Sequence, residues 1–210
     1  STYNASGFYY DYSDQVFQDL AVIATNPSTG EATGYSLVNR NVGKSAVYGV
    51  ELESVLRFPG NVMLNLNALW LDSEIKEGKV ADVRSQNYGA GGITSIIDLS
   101  GNELPLASKL TFNARLQHTM ELPFGTLDWQ LLASYRSAYY LTQYNNRDVV
   151  FISDTAGTVD HVEGAVEAGF PDRQRARTTV NAGIGLTSLD GHWRVEAWGN
   201  NLLDNDISQK

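Results

Sequence analysis

The chain has no cysteine among its 210 residues, so neither a disulfide nor a thiolate metal site can staple its fold. It also lacks any apolar run near the ~18 residues that a spanning helix needs, which excludes that way of crossing a bilayer. Residues 1–11 show neither a basic start nor an apolar core, so no secretory leader is visible; the chain is either not exported or a mature or partial product. Basic residues are scarce, 15 against 24 acidic ones, and the net charge of -9 argues against a nucleic-acid partner, which requires a positive surface. Glycine (19) and tyrosine (11) are plentiful instead, and both suit strands and turns better than helices.

The residues that are present alternate. In LTFNARLQHTMEL (110–122) one set of alternate residues is apolar apart from His118, and the other is wholly polar. Side chains on a strand point to opposite faces in turn, so this is a strand with two different sides. The same division recurs in AVYGVELESVLRF (46–58), VMLNLNALW (62–70), 127–139, 177–186 and 193–197, and less cleanly in YNASGFYYDY (3–12). That makes about seven strands, several longer than the ordinary five or six residues.

The connections alternate as well. Pro59-Gly60-Asn61, Pro123-Phe124-Gly125 and Leu189-Asp190-Gly191 are tight turns, whereas 13–44, 73–107 and 143–174 are expected to be long loops. An up-and-down antiparallel sheet then carries all its turns at one end and all its loops at the other. Outer-membrane barrels have this asymmetry, with strands of about 9–11 residues across the hydrocarbon, an apolar face to lipid and a polar face to a wet interior. Phe58, Trp129 and Trp193 near the turns, and Trp70, Phe112, Tyr135, Tyr139 and Tyr10 nearer the loops, would form two aromatic girdles. The fold class expected is therefore all-β: an antiparallel up-and-down transmembrane β-barrel, present as an incomplete segment. A soluble β-sandwich, such as a carbohydrate-binding module, gives the same alternation with the apolar face packed inside and stays open as an alternative.

AVYGVELESVLRFPGNVMLNLNALWLDSEI (46–75) resembles the C-terminal barrel half of TonB-dependent outer-membrane receptors. GFYYDYSDQ (7–15), GNELPLASKLTFNARLQH (101–118) and VEAWGNNLLDND (195–206) are similar to further stretches of that family in the family's order, with Ser108 where proline is common. The resemblance implies a barrel of about 22 strands plugged by an N-terminal domain. It implies TonB-energised import across the bacterial outer membrane of a scarce nutrient: a siderophore, cobalamin or an oligosaccharide. Residues 1–210 would be part of that barrel, without the plug domain or the terminal strand. The partners implied are outer-membrane lipid, the plug and TonB complex through the N-terminal part, and a small nutrient ligand. A passive outer-membrane porin is the other transport reading.

Few residues suggest chemistry. His118, His161 and His192 are scattered, and Asp154, Asp160 and Glu163 miss the calcium-loop spacing, so no metal site or cofactor is expected. YGAGGI (88–93) follows no βαβ unit and is a poor phosphate cradle. Glu51 and Glu53 share a strand face like a glycosidase pair, but a polar interior explains them more simply, and no enzyme is expected. The best ligand candidates are Tyr140, Tyr144, Asn145, Asn146 and Arg147 in one loop, which combine stacking surfaces with orienting hydrogen bonds, together with Arg115 and Arg136 on the polar face. Between 146 and 169 five carboxylates face a single cation, Arg147, which favours a neutral or cationic ligand, or a carbohydrate.

Overall fold

A computed structural model describes residues 1–30, 32–84, 95–152 and 158–205. These form β1 (Thr2–Thr25), β2 (Ala32–Phe58), β3 (Val62–Ala81), β4 (Ile96–Asp98), β5 (Leu110–Leu122), β6 (Gly125–Arg136), β7 (Tyr139–Tyr140), β8 (Val149–Ile152), β9 (Val159–Glu163), β10 (Arg173–Gln174), β11 (Arg177–Ser188) and β12 (Arg194–Gly199), with no helix among the described residues. One sheet runs β1-β2-β3-β5-β6-β11-β12, with β4 added to the far end of β3. Its neighbours are antiparallel throughout, and the seven expected strands are the seven on this path. The sheet is open, with β1 and β12 at its edges.

Register carries the alternation from one strand to the next. Leu56, Leu64, Leu116, Leu131 and Ala182 stand side by side across five strands. Two residues nearer the turns, Phe58, Val62, His118, Trp129, Ile184 and Ala197 make the next row, with His118 edge-on to Trp129 at 5.8 Å. Nearer the loops comes Ala5, Leu52, Ala68, Phe112, Tyr135 and Thr178. The reverse side of the same strands carries Asn4, Glu53, Asn67, Asn113, Ser134 and Thr179 at one level.

Among the described residues no second sheet covers the apolar face. Leu52 is 51% exposed, Ile184 50% and Val50 41%, values a packed sandwich core does not tolerate. The described residues therefore do not themselves form a soluble sandwich. The turns are as tight as expected: Gly60 and Asn61 both take positive φ (80° and 59°), and Pro123-Phe124 alone joins β5 to β6.

The loop end differs from expectation. Residues 13–44 are mostly not loop: β1 and β2 continue as one ribbon of 24 and 27 residues. Irregularities between Tyr12 and Val16 let it run on with a shifted register. It turns at Asn26-Pro27-Ser28-Thr29-Gly30, where Asn26 Oδ1 accepts from Ser28 N (2.9 Å), Asn26 O accepts from Gly30 N (2.8 Å), and Gly30 takes φ 74°. Beyond Leu20 apolar residues occupy both sides of the ribbon, so the two-residue period that marks a membrane strand fades there. Likewise β3 extends to Ala81, and part of 143–174 is the β8–β9 hairpin. Of the expected girdle residues, Trp70, Phe112 and Tyr135 lie on the apolar face, but Tyr10 pairs with Val47 on the polar one. Tyr139 is buried under the Arg136 guanidinium, 4.1 Å from its ring centroid.

Candidate functional site

Two features on the polar side could meet a ligand: a packed cap of loops at the long end and a cleft part-way down the strands.

The cap begins with the chain after Ile96 folding back along β3. Leu99 N donates to Gly78 O (2.8 Å), Gly101 N to Ile75 O (2.9 Å), and Ile75 N to Asn102 O (2.7 Å). This buries Ile75, Val80 and Leu99 with Phe17 from β1 and Tyr144 from the following loop. The Phe17 ring lies across Gly43 and Gly78, where a Cβ would fall 2.3 Å and 3.0 Å from it, so these glycines make room for the packing. Polar groups tie the rim. Asp19 Oδ1 accepts from Leu20 N and Ala81 N, both at 2.8 Å, and Oδ2 pairs with Arg40 at 2.8 Å. Arg84 is buried, clasps Asp82 through two 2.9 Å bonds, donates to Arg147 O (2.7 Å), and lies 4.2 Å over the Tyr144 ring. Burial pushes the Tyr144 hydroxyl up, and the nearby Asp82 charge adds to that.

Four of the ligand candidates are brought together in this cap, and their polar atoms are engaged there. Asn145 grips Glu103 at both ends, accepting from its N (2.6 Å) and donating to its O (3.0 Å). Asn146 and Asp172 exchange bonds of 2.8 Å and 3.0 Å. Arg147 donates to Asn102 Oδ1 (2.7 Å) and Ser100 O (2.8 Å), while Tyr144 is in the core. Asn145 and Asn146 take positive φ (51° and 55°), which asparagine tolerates best after glycine. Tyr140 is partly exposed with Arg173 5.7 Å over its ring, and Arg136 donates to Leu106 O (2.7 Å). A cleft of about 570 Å³ opens beside the cap between Val83, Pro105, Leu141, Phe170 and Pro171.

Arg115 stands apart from that group, on the polar face of β5, where Nη2 donates to Gln130 Oε1 (2.6 Å). It borders a cleft of about 460 Å³ lined by Asn4, Glu53, Asn65, Asn67 and Asn113. The alternation of VMLNLNALW puts Asn65 and Asn67 on the polar face from sequence alone, but only strand register brings Asn4 and Asn113 to the level of Asn67. Among the described residues no group of three or more histidine or acidic side chains is placed to hold a metal. His161 sits between Asp160 (3.3 Å) and Glu163 (3.5 Å) on the β8–β9 hairpin; Asp154 and the glycine-rich 88–93 lie outside the described residues.

Two-faced strands, turns at one end and folded loops at the other define a wall segment of an up-and-down β-barrel. A model of the family described as TonB dependent receptor-like, β-barrel matches residues 1–202, and the chain belongs to that family. Among solved structures it is similar to the ferric yersiniabactin uptake receptor FyuA from Yersinia pestis (TM-score 0.53, 17% identity, covering 80% of this chain and 20% of that one). It is also similar to the outer membrane transporter YddB from Escherichia coli (TM-score 0.53, 14% identity, 97% of this chain and 26% of that one). At these identities the likeness is one of fold, and the chain spans about a fifth to a quarter of those structures. No curated protein matches the sequence significantly.

Proposed function

We propose that this chain supplies barrel wall and extracellular loops to a bacterial outer-membrane receptor that imports a scarce nutrient with energy delivered through TonB. The observation that carries the reading is the family match over residues 1–202, laid on a sheet whose apolar face is bare and whose loops gather at one end. Lipid takes the apolar rows, each large side chain gaining about 1.5–3 kcal/mol on burial. The polar side faces the interior, where the rest of the receptor, including a plug domain and a terminal strand, completes the pore. In this reading Tyr144, Asn145, Asn146 and Arg147 shape the ligand's vestibule by holding the loops, whereas Tyr140, Arg136 and Arg115 offer it partly open side chains.

The test is nutrient uptake by cells carrying the intact receptor, supplied with ferric siderophores, cobalamin or oligosaccharides, with and without a working TonB complex. Uptake that stops when the complex is removed supports the reading. Uptake that continues unchanged makes the barrel a passive porin and overturns it.

A further inference from the structure

The polar side of β1 changes character along its length. From the loop end it presents Tyr12, Tyr10 and Phe8, then Ser6, Asn4 and Thr2. The rings form a file: Phe8 and Tyr10 centroids are 5.5 Å apart, and Tyr10 and Tyr12 stack at 6.2 Å with planes 29° apart. Phe8 is braced across Gly49, where a Cβ would meet the ring at 2.7 Å. Tyr10 and Tyr12 stay 53% and 46% exposed, so the file is anchored at one end and open over the rest.

Directly below, the chemistry turns to hydrogen bonding. Ser6 and Asn4 reach Glu51 and Glu53 only through long bonds of 3.4 Å and 3.5 Å, which leaves the exposed carboxylates capacity to accept more. Asn67 and Asn113 continue the Glu53 level across the sheet and border the 460 Å³ cleft, a volume within the range of small-ligand sites. The cation lining that cleft, Arg115, is engaged by Gln130.

We infer that the aromatic file and the carboxamide level below it form one track for a neutral, polyhydroxylated ligand: an oligosaccharide. A sugar ring has an apolar C–H face that stacks on an aromatic ring and a rim of hydroxyls that both donate and accept. The upper track supplies the stacking surface. The lower track supplies carboxamides, which donate and accept, and carboxylates, which accept from hydroxyls. An anionic complex meets two carboxylates along the track, Glu51 and Glu53, against one cation, Arg115. The inference rests on the import reading above and names its substrate class.

The experiment uses the intact receptor in detergent, titrated calorimetrically with linear neutral hexasaccharides of glucose, xylose or mannose. At least one is expected to bind, and Tyr10→Ala and Tyr12→Ala are each expected to weaken it about tenfold. Tyr10→Phe, which keeps the ring, should bind within about twofold of wild type. Equal melting temperatures certify that the variants are folded. The inference falls if none of the sugars binds, or if both alanine variants bind like the wild type. Uptake by cells carrying the same variants, with and without a working TonB complex, separates the two readings. TonB-dependent uptake of a ferric complex or peptide, insensitive to Tyr10→Ala, leaves import standing and removes the track. Hexasaccharide uptake that depends on Tyr10 but not on TonB does the reverse.

Discussion

At the scale of single residues, small side chains decide where two strands can carry something large. Gly49 is flanked by Trp70 O and the Phe8 ring, at 2.4 Å and 2.7 Å from where a Cβ would stand. The nearer obstacle is backbone, which cannot swing aside, so Gly49→Ala is expected to cost about 1–3 kcal/mol and lower the receptor's melting temperature. Gly185 makes a contrast. There the intruded atom is Nη2 of Arg194, at 2.3 Å, the end of a flexible side chain. Gly185→Ala should fold, but it displaces the two-pronged contact of Arg194 with Asp128 (2.6 Å and 2.9 Å). Asp190, in the last short turn, accepts from Ser188 Oγ (2.5 Å) and His192 N (3.1 Å) and pairs with His192 Nδ1 (2.7 Å). The Ser188 hydroxyl first, then His192, bring its carboxyl down from 3.8 to about 2. A carboxyl depressed by folding stabilises the turn above its ordinary value, and that contribution is lost as pH falls from about 4 through about 2. Carbon-detected titration of Asp190 in the labelled receptor should give a midpoint near 2 in wild type and nearer 4 in the Ser188→Ala, His192→Ala double variant; equal midpoints would remove the turn's role.

At the scale of elements, the division is between strands fixed by neighbours in sequence and loops fixed by distant partners. The strands β5, β6 and β11 were legible because a period of two is local: each residue of 110–122 declares its face without reference to any other strand. The short turns were legible because Pro, Gly and Asn declare backbone angles. The ribbon of 13–44 was missed once apolar residues occupied both of its sides, although Asn26-Pro27 with Gly30, between β-branched runs, is a turn signal that was there to use. The cap was illegible for another reason. Its ties join Asp19 to Ala81, Asn102 to Arg147, and Asn146 to Asp172, and no local pattern announces such pairs. Nor does any local pattern announce that Tyr144 packs in the cap beneath Arg84. Arg84 is the place to test whether the cap is one cooperative unit. Its guanidinium is buried with Asp82, and removing one member of a buried pair typically costs about 3–5 kcal/mol. That is enough to open a loop while the membrane strands persist. Arg84→Leu is therefore expected to make 139–150 protease-sensitive in intact cells and to leave the barrel's melting unchanged. Resistance like the wild type would show that the apolar cluster suffices without the ion pair.

At the scale of the whole molecule, every reading depends on which side of the sheet meets lipid, and adjacent residues on one strand settle it. Leu66 lies in one of the two rows between the Phe58–Trp129 level and the Phe112–Tyr135 level, beside Ser54 and Ala114. Asn67, next in sequence, points the other way, between Glu53 and Asn113. If the apolar rows face hydrocarbon, Leu66→Arg places a charge near the bilayer midplane at a cost of about 2–4 kcal/mol. Asn67→Arg places the same charge in a hydrated interior beside a carboxylate, at little cost. In the intact receptor, Leu66→Arg should sharply reduce the folded fraction recovered from outer membranes, and Asn67→Arg should assemble as wild type. A soluble sheet with its polar face outward would also spare Asn67→Arg, so the deciding comparison is thickness. When the receptor is refolded into bilayers of shorter and longer acyl chains, the Leu66→Arg deficit must shrink in the thinner one, where a midplane charge sits nearer water. A deficit indifferent to bilayer thickness would mean that Leu66 packs against protein, and the assignment of both faces would have to be given up.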